Sequence, residues 1–145
     1  MYDAYEVVHT MTNFWDGPRK GIANFQGQPH LYQSDYKDLE SECSDTFWLM
    51  SVDSQTFALA LEDWEIWRRW ETAFHSGETS IDTHPALPQD RARYAEIQTL
   101  LKGRLELNPA CAIRAQANFR TRDDPSWNGK GWAPLEVQWS VVPGK

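Results

Sequence analysis

The longest regular pattern of apolar and polar positions lies between Ser54 and Ser76. Apolar residues recur there at spacings of three, four and seven, which places them on one side of an α-helix. Asp53, Ser54 or Thr56 can cap the start of this helix, and Gly77 can supply a left-handed residue at its end. The apolar side consists of Phe57, Ala60, Leu61, Trp64, Trp67 and Phe74, widened by a second row of Leu59, Ile66, Trp70 and Ala73.

The width of this apolar side predicts how the helix packs. One neighbouring helix is too narrow to cover it, whereas the face of a β-sheet is wide enough. Each tryptophan can remove roughly 150–250 Å² from water, so three of them would supply much of the core of a 145-residue chain. We therefore expect a core helix with the sheet arranged around it. The alternative is that Trp70 lines a pocket or a dimer surface.

Alternation of apolar and polar residues predicts the strands. Four strands are expected before the helix, over residues 5–11, 21–26, 30–36 and 46–52. The fourth is apolar on both faces, which is typical of a central strand. Residues 26–29, with the sequence Gln-Gly-Gln-Pro, predict a hairpin between the second and third strands. The clearest alternation comes later in the chain, over residues 111–119 and 135–141.

A second helix is expected over residues 88–106, with a narrower apolar stripe than the first. Pro88 suits the first helical turn, and Asn108-Pro109 ends the pattern. The resulting element order is ββββααββ. It predicts an α+β fold in which a curved antiparallel sheet of about six strands packs on the tryptophan-rich helix. A partly closed barrel is the variant, and residues 1–145 are expected to form a single domain.

Charge narrows the range of partners. The formal net charge is −7 and the sequence pI is about 5.0. Nucleic acids and anionic membranes attract basic surfaces, so neither is expected as a partner. Hydrophobic residues make up 41% of the chain and charged residues 24%, which is ordinary for a folded globular protein, although eight tryptophans are many for this length.

Cysteine use and targeting signals indicate the compartment. Cys43 and Cys111 lie far apart, without the spacing of a metal site, and two free thiols are a simpler interpretation than a disulfide. The N-terminal residues show no basic segment followed by an apolar run, and no apolar stretch is long enough to span a membrane. We expect a cytoplasmic protein.

Short catalytic motifs are absent from the sequence. There is no GxSxG, no HExxH, no GxGxxG after a strand and no phosphate-binding loop. The sequence therefore identifies no catalytic residue and indicates no cofactor; whether the protein is an enzyme is left open, with a non-catalytic protein favoured, and the candidates for function are surfaces.

The first candidate surface is the turn around residues 15–21, which holds Trp15, Asp16, Arg19 and Lys20 beside two glycines. Backbone amides, a guanidinium and an ammonium group could together hold a carboxylate or a phosphate. The alternative is a solvated hairpin turn whose charges keep the edge of the sheet soluble.

The second candidate is the loop over residues 121–134, in which Trp127 and Trp132 flank Asn128. Aromatic rings beside amide and acid groups suit stacking on a sugar or a base, or anchoring of a partner protein. The alternative is that both indoles pin the loop onto the sheet.

The third candidate is a metal site. Glu71 and His75 are four residues apart on one helix face, His84 follows in the linker, and Asp82 could complete the ligands. The alternative is that His75 stabilises the end of the helix. We assign no metal.

The leading hypothesis is a non-catalytic binding or protein-interaction module, because aromatic residues are abundant and catalytic motifs are absent. Its partner would be a protein or a small anionic ligand, and a homo-oligomer is possible. Its site would comprise Trp15, Asp16, Arg19, Lys20, Trp127, Asn128 and Trp132.

Two alternatives remain open. One is a small enzyme or sensor in which Arg19 and Lys20 hold an anion while Asp16 or His30 handles protons. The other is a metal-dependent hydrolase built on Glu71, His75 and His84.

Overall fold

The computed structural model describes residues 4–14, 18–34, 46–125, 127 and 133–142, without the side chains of residues 13, 14 and 18. In these ranges seven strands form one antiparallel sheet, with two α-helices between the fifth and sixth strands. No helix in these ranges has the length and apolar character needed to cross a membrane. The strands are β1 (Glu6–Val7), β2 (Asn13–Phe14), β3 (Pro18–Phe25), β4 (Gln28–Ser34), β5 (Thr46–Ser51), β6 (Ala112–Thr121) and β7 (Leu135–Val141), and the helices are α1 (Ser54–His75) and α2 (Arg91–Leu101).

The sheet is curled but not closed. Its strand order is β1-β7-β6-β5-β4-β3-β2, with every pair antiparallel. The indole Nε1 of Trp139 on β7 nevertheless donates to the backbone oxygen of Asn24 on β3, at 2.9 Å. These strands are near opposite ends of the order, so the sheet must bend until they meet. The prediction of an α+β fold with an antiparallel sheet is confirmed. The sheet does not close into a barrel, since its two end strands, β1 and β2, do not pair with each other.

The segment around residues 6–10 joins the two sides of this curled sheet. Glu6 and Val7 pair with β7, and the next residue, Val8, forms a bridge with Ala23 on β3. The backbone nitrogen of His9 then donates to the oxygen of Ile22, at 2.8 Å. The prediction of one strand over residues 5–11 is therefore wrong: the segment changes partner after two residues, and its alternation reflects two different pairings.

A buried carboxylate fastens this segment to the β3–β4 turn. Glu6 accepts hydrogen bonds from the backbone nitrogens of Gln26 and Gly27, at 2.9 and 2.8 Å. Both turn residues have positive φ, 55° and 78°, as a tight two-residue hairpin requires. The hairpin prediction is confirmed, and the turn comprises Gln26 and Gly27. Two charge-assisted hydrogen bonds compensate for burying the carboxylate.

Aromatic side chains of the sheet itself fill its interior. Trp139, Tyr32 and Phe47 are the largest fully buried side chains, and Phe119 packs among them with ring centroids 5.7–6.0 Å apart. The hydroxyl of Tyr32 donates to the backbone oxygen of Thr10, at 2.9 Å. Burial raises the pKa of Tyr32 well above its ordinary value of 10.0, so the hydroxyl remains a donor.

Helix α1 contributes less to that interior than its sequence predicts. Its row of Leu59 and Ile66 packs against Ile97 and Leu101 of α2, which forms a second apolar cluster with Ala86. The apolar residues of this row are therefore buried against α2, and not against the sheet.

The three predicted core indoles of α1 have different environments. Trp70 is buried and its Nε1 donates to Thr83 Oγ1 at 2.8 Å, whereas Trp64 and Trp67 are only half-buried and stack on each other. The expectation of three core tryptophans is met fully by Trp70, whereas Trp64 packs against the aromatic core of the sheet with part of its surface exposed. Aromatic residues on the strands already occupy the interior of the sheet.

Both helices begin and end through local signals. Asp53 caps α1 by accepting from the backbone nitrogen of Thr56, at 2.7 Å, and this bond lowers the pKa of the Asp53 carboxyl. Helix α2 covers Arg91–Leu101, shorter than the predicted residues 88–106. Gly103 has a φ of 80°, and the next backbone nitrogen, of Arg104, donates to the oxygen of Leu101 at 2.8 Å. The helix has ended at Lys102, whose ψ of 122° is not helical, and Gly103 supplies the left-handed residue of the turn that follows.

Gly21 provides a test of the close approach between β3 and the N-terminal segment. A Cβ there would overlap the carbonyl oxygen of Thr10 and lie 2.8 Å from Tyr32 Oη. We expect Gly21→Ala to displace the segment and to lower the free energy of unfolding by about 2–4 kcal/mol, measured with urea. The control is Gly77→Ala, where φ is 77° but no atom lies within 4 Å; it should cost about 1 kcal/mol. Equal losses would contradict the close approach.

Asp63 gives a prediction about pH. This carboxylate accepts from Gln98 Nε2 at 2.8 Å, and burial raises its pKa above 3.8. An acid whose pKa is raised by folding loses stability as the pH rises from its unfolded to its folded pKa. Asp63→Asn retains the acceptor and has no charge, so we expect a higher melting temperature than wild type at neutral pH. The advantage should vanish below pH 3.8. The control is Asp82→Asn, which makes the same chemical change at an exposed position and should stay within about 0.5 kcal/mol of wild type at neutral pH.

Candidate functional site

A groove of about 360 Å³ lies between α1, the N-terminal segment and the two ends of the β6–β7 connection. We call it the α1 groove. Its apolar lining comes from Val8 and Met11 of the N-terminal segment and from Pro134 and Leu135 at the start of β7. The segment that joins the sides of the sheet therefore also forms one wall of the groove.

Two indoles provide flat surfaces in the α1 groove. Trp64 comes from α1 and is stacked on Trp67, with ring centroids 5.2 Å apart and planes inclined by 28°. Trp127 comes from the β6–β7 connection, where its backbone nitrogen donates to the oxygen of Asp124 at 3.1 Å. Both side chains are half-buried, so each indole is fixed by the protein and retains accessible surface.

Arg68 lies one helical turn after Trp64 and is held from two sides. Its guanidinium carbon lies 5.7 Å from the centre of the Trp64 ring, and its Nε lies 3.1 Å from Glu71 Oε1. Glu71 is 6% exposed, and a carboxylate buried to this degree needs a cation beside it. The Nε–carboxylate contact is close without the alignment of a hydrogen bond, which leaves Arg68 Nε buried and without a hydrogen-bond acceptor among the described residues.

Arg122 is the second arginine of the groove. It follows β6, and its Nη2 donates to Asp124 Oδ2 at 3.0 Å. Its backbone nitrogen donates to the oxygen of Pro134 at 2.9 Å, which ties the two ends of the β6–β7 connection together. Its Nε is also buried and has no acceptor within the described part of the chain. A guanidinium has five N–H donors, so an arginine paired with one carboxylate still has N–H groups that can donate to another molecule.

His9 is fixed at the N-terminal wall. Its ring meets the Phe57 ring edge-on, with centroids 4.8 Å apart, and its Nε2 lies 2.9 Å from Asn24 Oδ1. Because that oxygen is an acceptor, Nε2 carries the proton and Nδ1 is left as an acceptor in the neutral ring. His9 thus adds a hydrogen-bonding group to the groove.

The groove combines hydrogen-bond donors with approximately balanced charge. Arg68 is paired with Glu71 and Arg122 with Asp124. The guanidinium planes are thereby held in place, while their remaining N–H groups can donate to a ligand. Among the described residues that line the groove there is no serine or cysteine that His9 could activate. The arrangement therefore suits binding of an acceptor-bearing molecule.

The proposed metal ligands do not come together. Among the described residues, no group of three or more His, Cys, Asp or Glu side chains could hold a metal ion. Glu71 is buried against Arg68, His84 packs edge-on against Trp70 with centroids 4.6 Å apart, and His75 is exposed beside Phe74. The hypothesis of a metal site on Glu71, His75 and His84 is wrong, since Glu71 is already paired with Arg68.

The predicted ligand-binding residues are only partly brought to this groove. Trp127 lines it. Arg19 is a residue of β3, buried with its guanidinium carbon 6.0 Å from the centre of the Phe47 ring, and Lys20 pairs with Gln33 on β4. Neither belongs to an exposed turn, because β3 begins at Pro18. Trp15, Asp16, Asn128 and Trp132 lie outside the described residues, as does Cys43, whereas Cys111 is a free and exposed thiol.

Sequence reasoning missed the arginines of the groove. Arg68 lies outside the apolar rows that the sequence of α1 indicates, although Trp64, Arg68 and Thr72 follow one another at four-residue spacing and line the groove together. That spacing is a signal that could have revealed the site. Arg122 gives no comparable signal, because its position depends on pairing between β6 and β7.

Comparison with known proteins finds no family model, no curated protein and no solved structure that matches this chain.

Glu71 tests the charge arrangement of the groove. Glu71→Gln keeps the shape of the side chain but leaves Arg68 without its paired carboxylate. We expect a loss of about 1–3 kcal/mol in the free energy of unfolding, measured by chemical denaturation at neutral pH. The matched control is Glu65→Gln on the same helix, where the side chain is exposed and the change should stay within about 0.5 kcal/mol. A stable Glu71→Gln protein would show that the ion pair does not hold Arg68.

Proposed function

We propose that this chain is a binding domain for a small molecule that carries a flat apolar group and an acidic group, and that the α1 groove holds it. The observation that carries the proposal is the combination of two accessible indoles with two arginines that line the same groove and keep N–H donors beyond the one that faces each paired carboxylate. The flat apolar group of the ligand would stack on the indoles, and its acidic group would accept hydrogen bonds from the arginines.

The size and lining of the groove favour a small molecule over a protein partner. Its volume of about 360 Å³ lies within the range of about 300–1,000 Å³ found for small-molecule sites. Trp64 and Trp127 offer aromatic surface, and Val8, Met11 and Leu135 offer apolar contacts. A flat ring system can bury its surface against these groups, since offset and edge-on ring contacts are both favourable.

An acidic group is proposed for the ligand because two guanidinium groups line the groove. Arg68 and Arg122 each engage one carboxylate of the protein and keep further N–H donors. A ligand carboxylate would accept from them through charge-assisted hydrogen bonds, which are about twice as strong as neutral ones. Glu71 and Asp124 then serve to orient the arginines.

The proposal also covers the domain, its compartment, its partners and catalysis. We take residues 1–145 as one cytoplasmic, non-catalytic domain, able to form a homo-oligomer or to pass a ligand signal to a protein partner. The net charge of −7 supports excluding nucleic acid and membrane surfaces as partners. A binding domain is favoured over an enzyme that acts on an anionic substrate, because no serine or cysteine accompanies His9 in the described lining of the groove.

A matched pair of probes tests the proposal. Naphthoate and naphthamide have the same ring system and differ in charge, and their affinities can be measured by isothermal titration calorimetry. We expect naphthoate to bind about tenfold more tightly, because it accepts charge-assisted hydrogen bonds. Arg122→Gln should remove most of this difference, and Trp127→Ala should weaken both probes.

The control for these variants is Arg104→Gln, an exposed arginine that does not line the groove. It should bind both probes as wild type does. Equal affinity of the two probes, or no binding of either, would overturn the proposed function.

A further inference from the structure

The imidazole of His9 is a fixed polar group in the N-terminal wall of the α1 groove. The backbone nitrogen of His9 donates to the oxygen of Ile22 at 2.8 Å, and its ring packs edge-on against Phe57 with centroids 4.8 Å apart. The residue is half-buried, so the protein holds one part of it and leaves another part accessible. A side chain fixed in this way can recognise a ligand group at a defined position.

The Nε2 atom of this ring is already engaged outside the groove. It lies 2.9 Å from Oδ1 of Asn24, and neither Asn24 nor Phe57 lines the groove. Asn24 is itself held in place, because its backbone oxygen accepts from the indole of the buried Trp139 at 2.9 Å. The ring of His9 therefore faces the groove with its other atoms, and of these only Nδ1 forms conventional hydrogen bonds.

Nδ1 gives the groove a hydrogen-bond acceptor. Because Asn24 Oδ1 accepts from Nε2, the neutral ring carries its proton on Nε2 and keeps a lone pair on Nδ1. No described residue donates to this atom. The guanidinium groups of Arg68 and Arg122 only donate, and Asp124, a second acceptor in the lining, is paired with Arg122. A ligand complementary to both arginines and His9 needs an acidic group and a separate donor.

We propose that His9 determines specificity and that the ligand is a hydroxylated aromatic acid, whose hydroxyl group donates to His9 Nδ1 while its acidic group accepts from the arginines. This inference rests on the proposed function, because it adds one polar contact within the same groove. Asn24 is the positioning residue, since its bond to Nε2 selects the tautomer in which Nδ1 accepts.

Matched probes test the role of His9 by calorimetry in mildly alkaline buffer, where a histidine ring is neutral. The probes are hydroxynaphthoates that carry the hydroxyl at each position of the ring distal to the carboxylate. Each is compared with its methoxy analogue, which has the same oxygen but no proton to donate. We expect at least one hydroxynaphthoate to bind about fivefold more tightly than its methoxy analogue, as one neutral hydrogen bond permits.

Substitutions of His9 separate the hydrogen bond from ring packing. His9→Phe keeps an aromatic ring beside Phe57 and removes the acceptor, so we expect the preference for hydroxyl over methoxy to disappear while naphthoate still binds. His9→Gln supplies an amide oxygen that can accept and should restore part of the preference. The control is His75→Phe, the same change at an exposed position outside the groove, which should keep the full preference.

The positioning role of Asn24 has a readout that needs no ligand. In the nitrogen NMR spectrum of the free protein, we expect His9 to be the tautomer protonated on Nε2. Asn24→Leu should convert it to a mixture of tautomers and reduce the preference for the hydroxyl group. An unchanged tautomer in Asn24→Leu would refute the positioning role.

The outcomes distinguish this inference from the proposed function. If naphthoate binds but no hydroxynaphthoate exceeds its methoxy analogue, or if the preference survives in His9→Phe, the role of His9 is refuted and the proposed function stands. A wild-type spectrum with the proton on Nδ1 refutes the role of His9 in the same way. If neither naphthoate nor any hydroxynaphthoate binds, both proposals are overturned.

Discussion

The attachment of the N-terminal segment to both sides of the curled sheet is the constraint on which the rest of this structure depends. The Glu6 carboxylate makes one part of this attachment, because it accepts hydrogen bonds from the backbone amides of Gln26 and Gly27. The backbone of Glu6 makes the other part by pairing with β7. The segment then passes close over Gly21, where a side chain would not fit. This arrangement seals the aromatic interior around Trp139 and presents the opposite side of the segment to α1. The attachment of the N-terminal segment thus both stabilises the fold and shapes the groove.

The filled interior explains the role of α1. Because Tyr32, Phe47 and Trp139 occupy the space within the sheet, the helix packs beside the sheet and shares its second apolar row with α2. Its row of Trp64, Arg68 and Thr72 is left only partly covered, and this row becomes one wall of the groove. A helix with a wider apolar side than its neighbours can cover is a frequent source of binding surface.

Local signals in the sequence were sufficient for the elements that depend on neighbouring residues. The β3–β4 hairpin, helix α1 with its Asp53 cap, and the alternation of β6 and β7 all follow from contacts within a few positions. The joining of the two sheet sides does not, because Glu6 finds its partners twenty positions away. The groove is harder to predict from the sequence than the joining of the sheet, because Arg68 and Arg122 come from different elements that meet only after folding. Periodicity records which face is apolar, but not which partner covers it.

The hydrogen bond between the Arg122 amide and the Pro134 carbonyl closes the base of the β6–β7 connection. Such a clasp separates the framework from the segment it encloses: the register of the two strands is held below the clasp, while Trp127 above it lines the groove. In the binding domain proposed above, a change at Trp127 would therefore alter what the groove accepts without disturbing the pairing of β6 and β7. Selectivity would then diverge by a small sequence change at this position, with the scaffold retained.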